Sequence, residues 1–281
     1  MNSYKEITIK FNKKNYNKIY EQLYLSGIHS ILEESDHLKF SYPQNSGTKE
    51  LIKTLLSNCN LTKDDIRIKL FRNKNWNLEW QKSIKPVFID RKIIIYPSWL
   101  KREILNFKDR ILIQIDPKMS FGTGHNETTQ LVLKMMCEFI DNEDKKMLDY
   151  GCGTGVLAIA GIGLGITNAI AIDNDEEAID NAKEYFKINK VNKKIKLAKK
   201  NISQIRERNF DIICANLISS VITESIDCIY EKLKVKGKLI LSGILEEEEN
   251  KICRLLQKKN FVIKKILHKA EWISIYAIKK K

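Results

Sequence analysis

No run of 18 consecutive apolar residues occurs in these 281 residues, so no stretch is long enough to cross a bilayer as a helix. The opening MNSYKEITIKF lacks the apolar segment of a secretory signal. Cysteine pairs are also missing. Cys59, Cys137, Cys152, Cys214, Cys228 and Cys253 stand alone, with no C-x-x-C, which argues against a zinc ribbon or a disulfide framework. Free thiols in a reducing cytoplasm are expected instead. The four histidines are equally dispersed, and no metal is expected. Arginine is scarce, at eight of the 49 basic residues. A net charge of +14 would suggest nucleic acid. Phosphate-reading surfaces are usually led by arginine, however, and here lysines are spread through every segment. The charge therefore reads as compositional, with no more than a weak RNA contact expected.

What is present has the length of two domains and an ordinary globular composition, 43% hydrophobic and 30% charged. Tyr4 to Phe11 alternates as a strand, and Tyr16 to Leu25 has helical spacing ended by Gly27. Ile28 to Leu32 and Leu38 to Tyr42 read as short strands, Lys49 to Leu56 as a helix and Ile66 to Phe71 as a strand. That β-α-β-β-α-β order is the ferredoxin-like pattern, expected over residues 1–72 as an α+β module that docks a partner. Residues 73–90 are expected to form a linker, with Trp76 and Trp80 on one face if helical. Residues 91–281 form the second domain, starting with strands at Ile93 to Trp99, stopped by Pro97, and Ile111 to Ile115.

The second domain is organised around Lys146 to Asp175. An apolar run ending in Asp149-Tyr150 enters Gly151-Cys-Gly-Thr-Gly155, a small-residue helix pattern follows over Val156 to Gly163, and a second apolar run ends in Asp173. Strand, glycine turn, helix, strand and acid make the front of a Rossmann-type unit, in which the acid takes a ribose diol. A dinucleotide loop reads G-x-G-x-x-G, whereas here an acid precedes alternate glycines. Asp149-x-Gly151-x-Gly153-x-Gly155 resembles the class I methyltransferase loop, where the acid would face the cationic S-adenosylmethionine. Upstream, Phe121-Gly122-Thr123-Gly124 runs into a helix with Thr128 and Thr129 in its first turn, read as a lid over the methionine end of the cofactor. His125 reads as a loop polar residue. Downstream, Ala178 to Ile188 is an amphipathic helix, Ile195 to Ala198 a third strand, and Phe210 onward a fourth with Asn216 at its carboxyl end. Ligands of open α/β sheets sit outside those ends, so Asn216 should share a crevice with Gly151 and Asp173. A helix over Ile222 to Leu233, a turn at Val235 to Gly237, a strand over Leu239 to Ser242 and a terminal antiparallel pair at Phe261 to Leu267 and Trp272 to Ile278 complete the reading.

MSFGTGHNETTQL, LDYGCGTGVLAIAGIGLG, AIDND, ANLI and LSGIL together resemble the ribosomal protein L11 methyltransferase family. The resemblance covers nearly the whole chain and is strongest from Asp116 to Ile244. It implies an α/β, Rossmann-like seven-stranded class I methyltransferase domain behind a ferredoxin-like substrate-recognition domain. It implies S-adenosylmethionine as methyl donor, and trimethylation of α-amino and lysine ε-amino groups of large-subunit ribosomal protein L11, free or on the ribosome, by a cytoplasmic monomer. Cofactor contacts carried over by motif fall on Phe121, Gly122, Thr129, Asp149, Gly151, Gly153, Asp173 and Asn216, with Asn216 also catalytic. This sequence departs from the family at His125-Asn126-Glu127, where many members read T-H-P.

Methyl transfer to an amine needs alignment and a free lone pair, so an ammonium must first lose a proton. No strong base is evident near the loop. The Asn216 carbonyl and nearby main-chain carbonyls are expected to accept N–H bonds from the neutral amine, while Asp173 holds the ribose, Gly151 and Gly153 admit the methionine portion and Thr129 contacts it from the lid. Two rivals remain. One is a methyltransferase of ribosomal RNA or another protein, disfavoured because Asn216-Leu-Ile-Ser219 lacks the prolines and aromatic of N-P-P-Y. The other is a non-catalytic, cofactor-binding ribosome or RNA adaptor.

Overall fold

A computed structural model describes the chain except residues 1–2, 29, 44–46, 73–83, 105, 108, 117–123 and 281. Phe121, Gly122, Trp76 and Trp80 therefore lie outside the described residues. The chain divides into two compact units, Met1–Ile84 and Lys85–Lys281.

In the first unit, β1 (Ser3–Lys10), β2 (Ile31–Glu34), β3 (His37–Pro43) and β4 (Ile66–Arg72) form an antiparallel sheet in the order β2-β3-β1-β4. Helices Tyr16–Leu25 and Gly47–Asn58 interleave with the strands in the chain, giving the ferredoxin-like arrangement. Strand alternation sends Ile7, Ile9, Leu38 and Phe40 to one face, where Ile19, Leu23, Leu51 and Leu55 of the helices complete a core. Ile28 does not begin a strand. Gly27, at φ +75°, closes the first helix, with its N–H on the Tyr24 carbonyl and the Ile28 N–H on the Leu23 carbonyl. This is a Schellman turn, and it returns Ile28 to the core beside Leu23.

The second unit holds two sheets. The smaller joins β5 (Val87–Ile89), β6 (Ile93–Tyr96) and β7 (Ile111–Gln114). The larger orders β8 (Lys146–Tyr150), β9 (Asn168–Asp173), β10 (Ile195–Lys199), β11 (Phe210–Asn216), β12 (Leu233–Leu245), β13 (Phe261–Lys269) and β14 (Trp272–Lys279) as β10-β9-β8-β11-β12-β14-β13. Neighbouring strands are parallel up to β12, and β14 runs antiparallel to both β12 and β13. This is the doubly wound seven-stranded sheet expected. Its strands are apolar on both faces because helices cover both. Helices Glu127–Phe139, Val156–Gly163 and Glu176–Ile188 pack with Met147, Ile212 and Cys214 on one side. Helices Ser219–Lys232 and Glu249–Lys258 pack with Leu148, Ile213 and Ala215 on the other.

The turn expected at Val235 to Gly237 is absorbed into β12. Lys236 adopts φ +62°, and pairing with β11 jumps from Phe210↔Leu233 to Ile212↔Lys238, an excursion inside one long strand. A second irregularity falls between Leu241 and Ile244 against β14, where Gly243 sits at φ +80°. Such bulges bend a strand and often lie beside a site. Chain order reverses between β8 and β11, which are neighbours, and a crevice opens there at the carboxyl ends of the parallel strands.

Candidate active site

The glycine loop begins where β8 stops. Gly151, Gly153 and Gly155 take φ of +73°, +53° and +77°, a region that other residues enter with strain. A Cβ at Gly151 would also strike the Leu217 side chain. Three of the loop's donors are spent on the end of β9. The Gly151 and Cys152 N–H groups both reach the Ile172 carbonyl at 2.9 Å, and the Gly153 N–H reaches Asp173 Oδ2 at 2.9 Å. A phosphate cradle needs such N–H groups aimed at its ligand, so this loop is not one.

Asp173 ends β9 with Oδ1 accepting the Asp175 N–H at 3.1 Å. Each carboxylate oxygen thus holds one backbone donor and keeps lone-pair capacity for a ligand. Asp173 is one wall of a cavity of about 910 Å³, shared with Gly151, Gly153, Asn216 and the Lys200–Ser203 segment that follows β10. The crevice thereby joins Gly151, Gly153, Asp173 and Asn216 as expected from their strand-end positions. Among the described residues, four acids line it, Asp173, Asp175, Glu177 and Glu224, against one base, Lys200. In a chain of net charge +14 this local excess of negative charge is selective.

Asp149 sits elsewhere. It lies one residue before the end of β8, on the face turned toward the Val156–Gly163 helix, and is wholly buried. Its Oδ2 accepts the Ala158 N–H at 2.9 Å, serving a helix start whose N-cap position, Gly155, has no side chain to offer. Oδ1 is buried without a partner. Burial pushes this carboxyl up to about 7, and the nearby Asp173 charge pushes the same way. Asp149 is not among the residues lining the cavity, so it acts on the site from beneath the loop.

Asn216 is held by the start of the Glu127–Phe139 helix. Its Nδ2 donates to Thr128 Oγ1 at 3.2 Å and Thr129 Oγ1 at 3.3 Å. That fixes the amide orientation and leaves Oδ1 buried with no partner. Thr129 itself is 1% exposed and lines neither this cavity nor its neighbour. Its hydroxyl supports the asparagine. His125 brings Nε2 within 3.2 Å of the Lys85 carbonyl, the role of a loop polar residue.

The site also uses residues that the motif reading passed over. Asn174, Asn201 and Ile202 line the large cavity. Their signal was positional, since they follow the carboxyl ends of β9 and β10. A second cavity, of about 520 Å³, shares Asn216 and Leu217 with the first and is bounded by Glu127, Ile218, Gly243 and Trp272.

The residues fit S-adenosylmethionine. The loop gives its Gly151, Cys152 and Gly153 N–H groups to the end of β9, the walls are acidic, and a carboxylate with spare lone pairs stands where a ribose diol would reach. The ligand is a cation without phosphates, and a phosphate-bearing dinucleotide would meet an excess of negative charge here, four acids against Lys200 among the described residues.

Comparison with known proteins agrees. The family model described as "Ribosomal protein L11 methyltransferase (PrmA)" matches residues 3–280. The "Ribosomal protein L11 methyltransferase" of Bacillus subtilis is 31% identical over 274 residues, covering 95% of this chain and 88% of that protein. The protein of the same description from Dictyoglomus turgidum is 34% identical over 215 residues, covering 76% of this chain and 70% of the relative. Among solved structures, a ribosomal protein L11 methylase from Lactobacillus delbrueckii subsp. bulgaricus superposes with a TM-score of 0.65 at 28% identity, covering 70% of this chain and 100% of that one.

Proposed function

This chain belongs to the ribosomal protein L11 methyltransferase family, and from that premise we propose that it methylates α-amino and lysine ε-amino groups of ribosomal protein L11 up to the trimethyl state. It is an S-adenosylmethionine-dependent methyltransferase with a class I fold. When bound, S-adenosylmethionine supplies a methyl group activated on a sulfonium. The protein's residues do the binding and aiming. Asp173 accepts hydroxyl hydrogens with its remaining lone pairs, Gly151 and Gly153 let the backbone come close, and the acid-rich wall with Asp149 beneath it favours a positive ligand.

The observation that carries the chemistry is Asn216, common to both cavities, with Nδ2 tied to two threonines and Oδ1 unpartnered. In the proposed role, Oδ1 accepts an N–H from the neutral amine and aims its lone pair, while water carries the proton away. Alignment of this kind can supply several kcal/mol of a displacement barrier. The Met1–Ile84 unit recognises the protein substrate, whether free or on the ribosome. The enzyme works as a monomer in the cytoplasm, a compartment that suits the six unpaired cysteines.

The test is the intact mass of ribosomal protein L11 after incubation with the enzyme and S-adenosylmethionine. Mass gains in methyl steps, lost with Asn216→Ala, are expected. No gain by an enzyme that still binds the cofactor refutes the substrate assignment.

A further inference from the structure

Glu127 is the single ionisable side chain among the described residues that line the second cavity. It opens the Glu127–Phe139 helix, is half-buried, and precedes Thr128 and Thr129, which orient Asn216. An acid in a first turn suits the helix dipole, and that alone would explain little. The cavity adds an independent fact. Leu217, Ile218 and the Trp272 ring make its wall apolar, and Asn216 joins it to the acid-lined crevice. One negative charge in an apolar channel of this size suits a long aliphatic stem ending in a cation. Among the described residues the other charged neighbours do not line the cavity: Lys269 donates to Gln130, His125 approaches the Lys85 carbonyl, Glu248 accepts from the Ser219 hydroxyl and the Leu245 N–H, and Glu271 precedes Trp272.

We infer that Glu127 is a specificity-determining residue that draws the ammonium form of the acceptor amine into the channel, with Trp272 flanking the stem, before Asn216 takes the deprotonated amine. The inference rests on the proposed amine methylation. A carboxylate is a poor base toward lysine, whose ordinary pKa is about 10.4, so Glu127 recruits the cation and does not deprotonate it. Its charge has two opposed effects. It tightens binding of the ammonium, and by stabilising that form it raises the pH at which the bound amine gives up its proton. Methylation leaves the positive charge in place, so the attraction persists through successive transfers. Each intermediate is thereby kept near Asn216.

Steady-state kinetics on ribosomal protein L11 between pH 6.5 and 9.5, where lysine is mostly protonated and displacement of the rising limb of log kcat reports a shift of its midpoint, test this by comparing wild type, Glu127→Gln and Glu127→Asp. One charge acting over a few ångströms at the effective dielectric of a protein surface is worth about tenfold or more. Glu127→Gln is therefore expected to raise KM for the protein substrate by about tenfold and to move the pH midpoint of kcat downward by roughly one unit. Its cofactor Kd should stay at the wild-type value, and its melting temperature should fall by no more than the few degrees that a lost helix-dipole contact explains. Glu127→Asp should restore most of the KM; since it would restore a helix-dipole contact as well, the readout that separates the two roles is the joint shift of KM and pH midpoint, which a dipole contact alone would not move. An unchanged KM with an unmoved midpoint overturns the inference, as does a fall in kcat at constant KM. A wild type that transfers no methyl to ribosomal protein L11 refutes the underlying reading and the inference with it.

Discussion

Asp149→Asn should make the cofactor-free protein more stable at pH 8 and less stable at pH 4. The Asp149 carboxyl is wholly buried, accepts a single N–H, from Ala158 at 2.9 Å, and leaves Oδ1 without a partner. Burial holds its pKa at about 7, whereas an unfolded chain would show about 3.9. Between those values the native state keeps a proton that the unfolded state has released, so stability falls as pH rises from about 4 to about 7 and then levels. Roughly three pKa units correspond to about 4 kcal/mol. Asparagine cannot ionise, and its carbonyl can keep the Ala158 bond. Its Nδ2, in the place of Oδ1, has no acceptor and costs about 1–3 kcal/mol at every pH. The difference leaves the variant ahead by about 1–3 kcal/mol at pH 8. Urea denaturation of both proteins without ligand, from pH 4 to 9, should give stability curves that cross. Curves separated by a constant offset over that range would refute the account. The same variant should bind S-adenosylmethionine more weakly above pH 7, because it lacks the ionised carboxylate that a cationic ligand stabilises.

Asn216→Ala should lower turnover by about a hundredfold, as misplacement of a reacting group does, with cofactor Kd nearly unchanged by calorimetry. Thr129→Val removes one of the two hydroxyls that accept from Asn216 Nδ2, so a partial loss of turnover is expected, and combining it with Asn216→Ala should add little further loss. Gly151→Ala forces a Cβ onto Leu217 at φ +73°, and a stability loss of about 1–3 kcal/mol with weakened cofactor binding should appear in thermal melts. Lys238→Met leaves the buried Asp144 without the ammonium that now lies 2.7 Å away, while Asp141 also loses its partner at 2.6 Å. A loss of about 3 kcal/mol in urea, with cofactor Kd unchanged, is the expected outcome.

Much of the fold could be read in the sequence because local and global signals coincide there. Tyr16–Leu25 and Val156–Gly163 form helices over the very residues whose spacing suggested them. The crevice was legible because strand ends are countable: Gly151, Asp173 and Asn216 each follow an apolar run of β8, β9 or β11. Sequence pattern and structure part where one residue serves two patterns. Ile28 continues an apolar series that looks like a strand, yet it is the hydrophobic residue after a helix-closing glycine. Val235 to Gly237 has turn composition, and a left-handed Lys236 supplies the bend without ending the strand.

Side-chain direction is the least local property of the site. Asp149 stands next to the loop in sequence, but the strand's alternation turns it beneath the loop toward the Ala158 N–H. Thr129 was placed at the site by its position, whereas its contact with Asn216 spans 87 residues and depends on how a helix start meets a strand end. Trp272 had no local signal at all. It reaches the second cavity through antiparallel pairing of β14 with β12, where it stands opposite Leu245.

That pairing has a consequence for the protein's own synthesis. β14 is seventh of the seven strands in chain order, yet it lies inside the sheet between β12 and β13. Ser242 Oγ donates to the Ile273 carbonyl and Ser274 Oγ to the Leu241 carbonyl, so the strand next to the crevice is locked only after β14 has inserted. A nascent chain that has emerged only as far as the Glu249–Lys258 helix presents β12 as a bare edge and has no Trp272 wall. Domains fold as units during synthesis, and this one cannot close until the β14 hairpin has cleared the ribosome.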